Sequence, residues 1–339
     1  MRHNRDQLSS ASHLHPDHSC SHPQACLHLT VLHAAILWTE ISAALLMEQK
    51  VVLITGCSSG IGLSLAVHLA SDPSKAYKVY ATMRNLDKKQ RLMESVRGLH
   101  KDTMAILQMD ITDQQSILNA QSNITEGRVD ILVCNAGVGL MGPLEAQSDE
   151  TMRRILDVNL LGTIHTIQTF LPDMKRRKDG RILVTGSMGG LQGLPFNEVY
   201  CASKFAIEGA CESLAILLQN FNIHVSMIEC GPVNTDFLKN LMKTEPTDES
   251  VEVDADTRSL YKKYLQHCQE IFQNAAQDTE EIVQVFLEVI QSPCPLFRYY
   301  TNTALLPLSS LKLMALDGSQ YIRAMGKFIF SAEHADSRK

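Results

Sequence analysis

The sequence predicts a doubly wound α/β fold, a parallel sheet of about seven strands with helices on both faces. Three observations carry this. Short apolar runs recur along the chain, helical patterns separate them, and a glycine-rich turn follows the first run. The runs are VVLIT (51–55), KVYATM (78–83), AILQMD (105–110), DILVCN (130–135), RILVTG (181–186) and HVSMIE (224–229), with FRYYT (297–301) as a last candidate. They are apolar throughout rather than alternating. That marks strands buried on both faces, and the intervening segments supply the crossover helices.

Residues 1–46, ahead of the first run, differ from the rest. They hold seven of the thirteen histidines in a Ser, His and Pro mixture, then the run LTVLHAAILWTEISAALLM. That run starts too late and, with His33 and Glu40, is too polar for a signal peptide. A spanning helix needs about 20 apolar residues with few charges, so no clear membrane span is read. The segment reads as a disordered extension, with an interfacial anchor as the alternative and Met47 as an alternative start. HSCSHPQACLH matches no usual zinc spacing, and no metal is expected. A net charge of -6 with 20% charged residues shows no basic excess, which argues against nucleic acid as a partner. Nine cysteines without a C-x-x-C pair read as thiols of a reducing compartment, and the expected location is cytoplasmic.

TGCSSGIG (Thr55, Gly56, Ser58, Ser59, Gly60, Ile61 and Gly62 among it) follows the first strand and opens a helix, the context a dinucleotide phosphate loop requires in a Rossmann-type sheet. Gly56 permits the tight turn, Gly60 a close backbone approach, and Gly62 close helix packing. The helix amides then face the pyrophosphate. After the second strand, an NAD site offers a carboxylate; here the residue is Arg84. Arg84 and Ser59 fit a 2′-phosphate, so NADP(H) is expected, with NAD(H) as second cofactor. Asp110 is placed near the adenine, and Asn135 and Gly137 where the backbone passes the cofactor; both ends also suit loop caps.

MKRRK (174–178) closes the helix before the fifth strand, its charges favouring the helix dipole. Met188-Gly189-Gly190 reads as strand end and loop, which leaves Ser187 at a strand mouth. Tyr200 and Lys204 stand four apart on a helix, hence on one face. A cation so placed lowers a phenol's pKa, which gives a tyrosine able to trade a proton near neutrality. The same spacing also fits a core tyrosine beside a snorkelling lysine. The interval 238–260, which includes KNLMKTEPTDESVEVDADTRS, is acidic and Pro-broken, and reads as a lid or connection.

TGCSSGIG, NAG, Asn159, Ser187 and Tyr-x-x-x-Lys in this order resemble the short-chain dehydrogenase/reductase family over about residues 47–330. The resemblance implies Tyr200 as acid or base, Lys204 as its pKa-lowering partner and ribose ligand, Ser187 as orienter of the substrate oxygen, and Asn159 as support for a proton-relay water. It also implies Thr235 beside the nicotinamide and a homodimer through the tyrosine helix, where Ala206, Gly209 and Ala210 allow close approach. GLPFNEVYCASKFAIEG and MIECGPV are similar to the steroid-active branch of that family. This implies NADP(H)-dependent interconversion of the 17-keto and 17β-hydroxy groups of steroids, estrone to estradiol and androgens included. The apolar tunnel would be lined by Met188, Leu194, Phe272, Leu305 and Met325, and His267 would meet the steroid's 3-hydroxyl. That branch carries a glutamate opposite the histidine, and Phe328 stands in the matching place. A retinol dehydrogenase and a non-catalytic NADP(H)-binding sensor remain as alternatives. The expected organisation is an extension (1–46), one catalytic domain (47–330) with a substrate lid over about 238–275, and a flexible tail (331–339).

Overall fold

A computed structural model of the chain describes residues 49–96, 102–237, 252–304, 306–314 and 317–330. The expectations for the extension, the tail, Leu305 and residues 238–251 of the lid lie outside them. Within them the expected sheet is present. Seven strands, β1 (Lys50–Ile54), β2 (Tyr77–Met83), β3 (Met104–Gln108), β4 (Ile131–Cys134), β5 (Gly180–Thr185), β6 (Ile223–Glu229) and β7 (Arg298–Tyr300), pair in the order β3-β2-β1-β4-β5-β6-β7. Every pairing is parallel. The order reverses between β1 and β4, and a crevice opens there at the carboxyl ends of the strands.

The apolar runs are explained by what covers them. Val52, Ile54, Val79, Ala81 and Val133 face one core with α1 (Gly60–Ala70), while Val51, Leu53, Tyr80 and Leu132 face the other. Between β3 and β5 lie α2 (Gln114–Ser122), α3 (Asp149–Leu156) and α4 (Thr163–Arg177); α2 and α4 pack on the second face. Asp113 and Ser148 cap the first two of these through the N–H groups of Gln115 and Thr151. Helix α4 ends where Lys178 turns left-handed at φ 52°. The tyrosine-bearing α5 (Glu198–Leu218) lies on that face too, and α6 (Ala255–Ala275) and α7 (Thr279–Gln291) follow β6. Residues 255–275, expected within a lid, therefore form a 21-residue helix, capped by Asp254 on the Thr257 N–H at 2.9 Å. Two helices unforeseen in the sequence, α8 (Leu306–Met314) and α9 (Ser319–Phe330), follow β7, and α9 packs with α6 in a third apolar cluster around Met141, Tyr264, Met325 and Ile329. Among the described residues no helix is long and apolar enough to cross a membrane, and no side-chain cluster is set to hold a metal.

Candidate active site

One cavity of about 520 Å³ runs from the glycine turn, past the ends of β4 and β5, to the third apolar cluster. Its first part is shaped for a phosphate. Gly56 sits at φ 74°, and a Cβ there would lie 2.9 Å from the Ala136 backbone. Gly60 sits at φ 60° against Thr235. Ser59 is the N-cap of α1 but makes no side-chain cap, and the first turn carries no acid. The amides and positive dipole end of that helix are thus left for an anion. Ser58, Ser59, Gly60 and Ile61 line this part. Arg84, Asn85 and Lys88 close its far side. Lys88, in the short helical turn Leu86–Lys89 that follows Arg84, escaped the sequence reading. Among the lining residues at the end of β2 there is no carboxylate.

Three residues expected at the site, Thr55 and Gly62 at the cofactor and Asn159 in catalysis, do not line the cavity. The Thr55 hydroxyl is buried and accepts the N–H groups of Asn135 and Ala136, both at 2.9 Å, which bolts β1 to β4. A Cβ at Gly62 would lie 2.5 Å from Asn135 Nδ2 and 2.6 Å from the Gly56 carbonyl, so this glycine serves helix packing alone. The Asn159 side chain is fully engaged. Its Oδ1 accepts from Val138 N at 2.8 Å, and its Nδ2 donates to the Val138 carbonyl at 2.8 Å and to Ser203 Oγ at 3.0 Å. Asn159 lies in a π-helical segment, Asp157–Gly162, between α3 and α4. Such segments displace main-chain carbonyls from the regular ladder and gather at functional sites. Asp110 lines the cavity, yet its Oδ1 caps its own turn through Thr112 N at 3.0 Å and Thr112 Oγ1 at 2.7 Å.

The middle of the cavity brings Ser187, Tyr200 and Lys204 together. Met188–Leu191 form a single helical turn rather than loop, because Ser187 Oγ caps it on Gly189 N at 3.1 Å. That leaves the Ser187 hydroxyl hydrogen-bonded to the Tyr200 phenol, whose ring passes 3.2 Å from where a Gly189 Cβ would stand. Lys204 Nζ, on the same face of α5, donates to the Thr185 carbonyl at 3.0 Å. The expected acidified phenol is not found. Burial raises the Tyr200 pKa above its ordinary value; the Ser187 hydrogen bond lowers it, and Cys201, Cys230 and Glu229 push it up again. Burial draws the Lys204 ammonium's own pKa down.

The far part is apolar, lined by Met141, Leu194, Tyr264, Phe272, Met325 and Ile329. Tyr264, with Cys268 and Ile271, went unread in the sequence, although positions 264, 267, 268, 271 and 272 form one stripe of α6 at helical spacing. Within this stripe His267 presents a buried Nε2 with no hydrogen-bond partner among the described residues. Burial lowers its pKa, against a smaller upward pull from Glu270. The Phe328 ring meets the imidazole edge-on, with centroids 5.0 Å apart.

Comparison with known proteins agrees with this geometry. The family model described as short chain dehydrogenase matches residues 50–246. The chain is 52% identical over 286 residues to 17-beta-hydroxysteroid dehydrogenase type 1 of Homo sapiens, covering 84% of this chain and 87% of that protein. It is 45% identical to retinol dehydrogenase 8 of Bos taurus over 282 residues, 83% of this chain and 90% of that one. Among solved structures, a short chain dehydrogenase/reductase of Burkholderia phymatum in complex with NAD superposes with a TM-score of 0.66 at 21% identity, covering 78% of this chain and 93% of that one.

Proposed function

The chain belongs to the short-chain dehydrogenase family, and from that premise we propose that it is an NADP(H)-dependent oxidoreductase interconverting the 17-keto and 17β-hydroxy groups of steroids. One observation carries the steroid reading. The cavity continues beyond Ser187 and Tyr200 as an apolar passage lined by Leu194, Tyr264, His267, Phe272 and Met325, which suits a rigid apolar body. The names of the relatives point the same way, with the steroid enzymes more similar than the retinol enzyme.

When bound, the nicotinamide would supply the hydride to the ketone carbon. As charge grows on the ketone oxygen, Tyr200 gives its proton there and the Ser187 hydroxyl holds the oxygen in place. Lys204 stands next to Thr185 and Gly137, where it can meet a ribose hydroxyl. The helix amides at Ser58 to Ile61 would take the pyrophosphate, with Gly56, Asn135, Gly137 and Thr235 shaping the approach. Arg84 and Lys88, with no facing carboxylate, favour a 2′-phosphate. Leu194 and Phe272 would pack on the steroid rings, and His267 would bond its distal oxygen.

Residues 47–330 are read as one catalytic domain. A homodimer through α5 is part of the reading, supported by Ile216 at 66% exposure and by the open surface over Gly209; sedimentation as a monomer at micromolar concentration would count against it. The buried free thiols Cys57, Cys134, Cys201, Cys211 and Cys230 support a cytoplasmic, reducing location.

Following NADPH absorbance with estrone, androstenedione and all-trans-retinal tests the function. Steroid-dependent consumption is expected. Consumption with retinal alone would move the activity to retinoids, and NADPH binding without consumption would leave only a sensor.

A further inference from the structure

Two carboxyl groups and one guanidinium lie behind Ser187, on the side away from the cavity. Glu229 closes β6 and Glu208 lies on α5, 0% and 6% exposed respectively. The Arg298 guanidinium, from β7, donates to Glu208 Oε2. Glu229 Oε2 accepts the main-chain N–H of Ser187 at 2.9 Å. The two remaining oxygens, Glu208 Oε1 and Glu229 Oε1, are buried with no donor among the described residues. They belong to side chains that interact directly.

Two buried acceptors on interacting side chains, neither with a donor, are an arrangement that one proton resolves, while Arg298 Nε beside them is also buried with no acceptor among the described residues. With both groups ionised, two like charges would share a site with one guanidinium, at a large desolvation cost. With one proton between them, the Glu229 O–H donates to Glu208 Oε1, both orphaned oxygens are satisfied, and the net charge of the pair balances Arg298. Gly186 leaves no slack, because a Cβ there would lie 2.5 and 2.6 Å from the two Glu229 oxygens. The carboxyl is therefore wedged between β5 and the Ser187 amide.

The geometry points to a shared proton on the Glu208–Glu229 pair and to neutral Glu229 as a positioning residue that fixes the Ser187 main chain. This rests on the reading in which Ser187 orients the ketone oxygen. The groups facing Glu229 are Lys204, Tyr200, Glu208 and Cys211 from α5, Cys230 next in the chain, and Arg298 from β7 with Tyr300 beside it. Burial and then Glu208 raise the Glu229 pKa, the Ser187 N–H and Lys204 draw it back, and the balance stands at about 9. Glu229 keeps its proton at pH 7 and releases it as the solution approaches that value.

Infrared spectra and amide exchange read this without any substrate, so they stay informative even where the steroid reading fails. The full chain should show the carbonyl stretch of a protonated carboxyl at pH 7, fading as pH rises through about 9. Glu229→Gln and Glu208→Gln should each remove that band. The Ser187 amide should be protected from exchange in the wild type and in Glu229→Gln, whose amide oxygen still accepts from it, and unprotected in Glu229→Leu. In steroid reduction, Glu229→Leu should lower kcat about tenfold with unchanged NADPH affinity, and Glu229→Gln should restore kcat and lose the alkaline limb near pH 9. Absence of the band, its persistence in both Gln variants, or an unchanged alkaline limb in Glu229→Gln would each overturn the shared proton. Ser187 protection that survives Glu229→Leu would overturn the positioning role.

Discussion

On the proposed function, Tyr200 is held in the protonation state that ketone reduction needs. Burial raises its pKa above the ordinary 10.0, so at neutral pH the phenol keeps its proton for the substrate oxygen. The reverse direction needs the phenolate, which that same shift makes scarce. In the Glu229→Gln background, which removes the Glu229 titration, the reduction rate should stay level through neutrality and fall only above the ordinary tyrosine range, while alcohol oxidation rises with pH. Initial rates in both directions check this. A reduction rate that already falls below neutrality would show a phenol acidified after all. Tyr200→Phe should lose about a hundred- to ten-thousand-fold in kcat while NADPH still binds. In the apolar part of the cavity, the Phe328 ring stands perpendicular to the His267 imidazole. A carboxylate there would accept from a phenolic 3-hydroxyl, so Phe328→Glu should raise kcat/KM for estrone over androstenedione by about tenfold, the worth of one charged hydrogen bond; an unchanged ratio would remove position 328 from substrate choice. Tyr200, Ser187 and Lys204 were legible because spacing on a helix and at a strand end fixes their side. Thr55, Gly62 and Asn159 were not, since a motif names residues without saying which atoms turn inward. Glu229 was hidden altogether, because nothing in MIECGPV distinguishes a buried acid from a solvated strand end.

Helix α1 is the element on which the cofactor site depends, and its closeness to the sheet is set by Gly62. A methyl at that position would overlap Asn135 Nδ2 and the Gly56 carbonyl, both backed by β1 and β4 and unable to yield. Gly62→Ala should therefore push the helix N-terminus outward. The expected result is a lower melting temperature and NADPH affinity weakened by about tenfold or more, in line with overpacking costs of about 1–3 kcal/mol. Thermal melts and a fluorescence titration measure the two effects, and a variant of wild-type stability and affinity would show that the helix can shift freely. The central strands were legible as elements because burial on both faces leaves mostly apolar residues, while the edge strands β3 and β7 are only half-buried. All seven expected runs pair in the sheet. Less legible was the π-helical turn at Asp157–Gly162, since an inserted residue leaves the apolar period almost unchanged. The acid-rich start of α6 hid a 21-residue helix behind a loop-like composition. Helices α8 and α9 follow a short edge strand, and their apolar positions are divided between cavity and surface: Met325 is buried, while Leu313 and Ile322 are 88% and 69% exposed.

At the scale of the whole molecule, the buried acid pair should leave a signature in stability against pH. Unfolded, Glu229 releases its proton near 4.5; folded, it keeps it up to about 9. Between those values the folded chain binds more protons than the unfolded one, so its stability falls as pH rises through the window and levels off beyond it. Below about 4.5 both states are protonated and the group makes no pH-dependent contribution. Asp254 and Asp317, held below their ordinary values by hydrogen bonds from Thr257 and Ser319, act with the opposite sign and lose stability as pH falls. Those contributions are common to the wild type and to Glu229→Gln, and cancel when the two are compared. Gln releases no proton on unfolding and keeps the bond to the Ser187 amide. The melting temperature of Glu229→Gln minus that of the wild type should accordingly be smallest near pH 4.5 and grow steadily toward pH 9. Melting curves of the cofactor-free protein across that range decide it. Parallel profiles would mean that Glu229 is ionised at neutrality and that Glu208 and Glu229 are two independent charges. A widening gap would mean that the fold carries a neutral acid under its active serine at a standing loss of stability, which a stable protein with only a few kcal/mol in reserve retains where the position is needed for function.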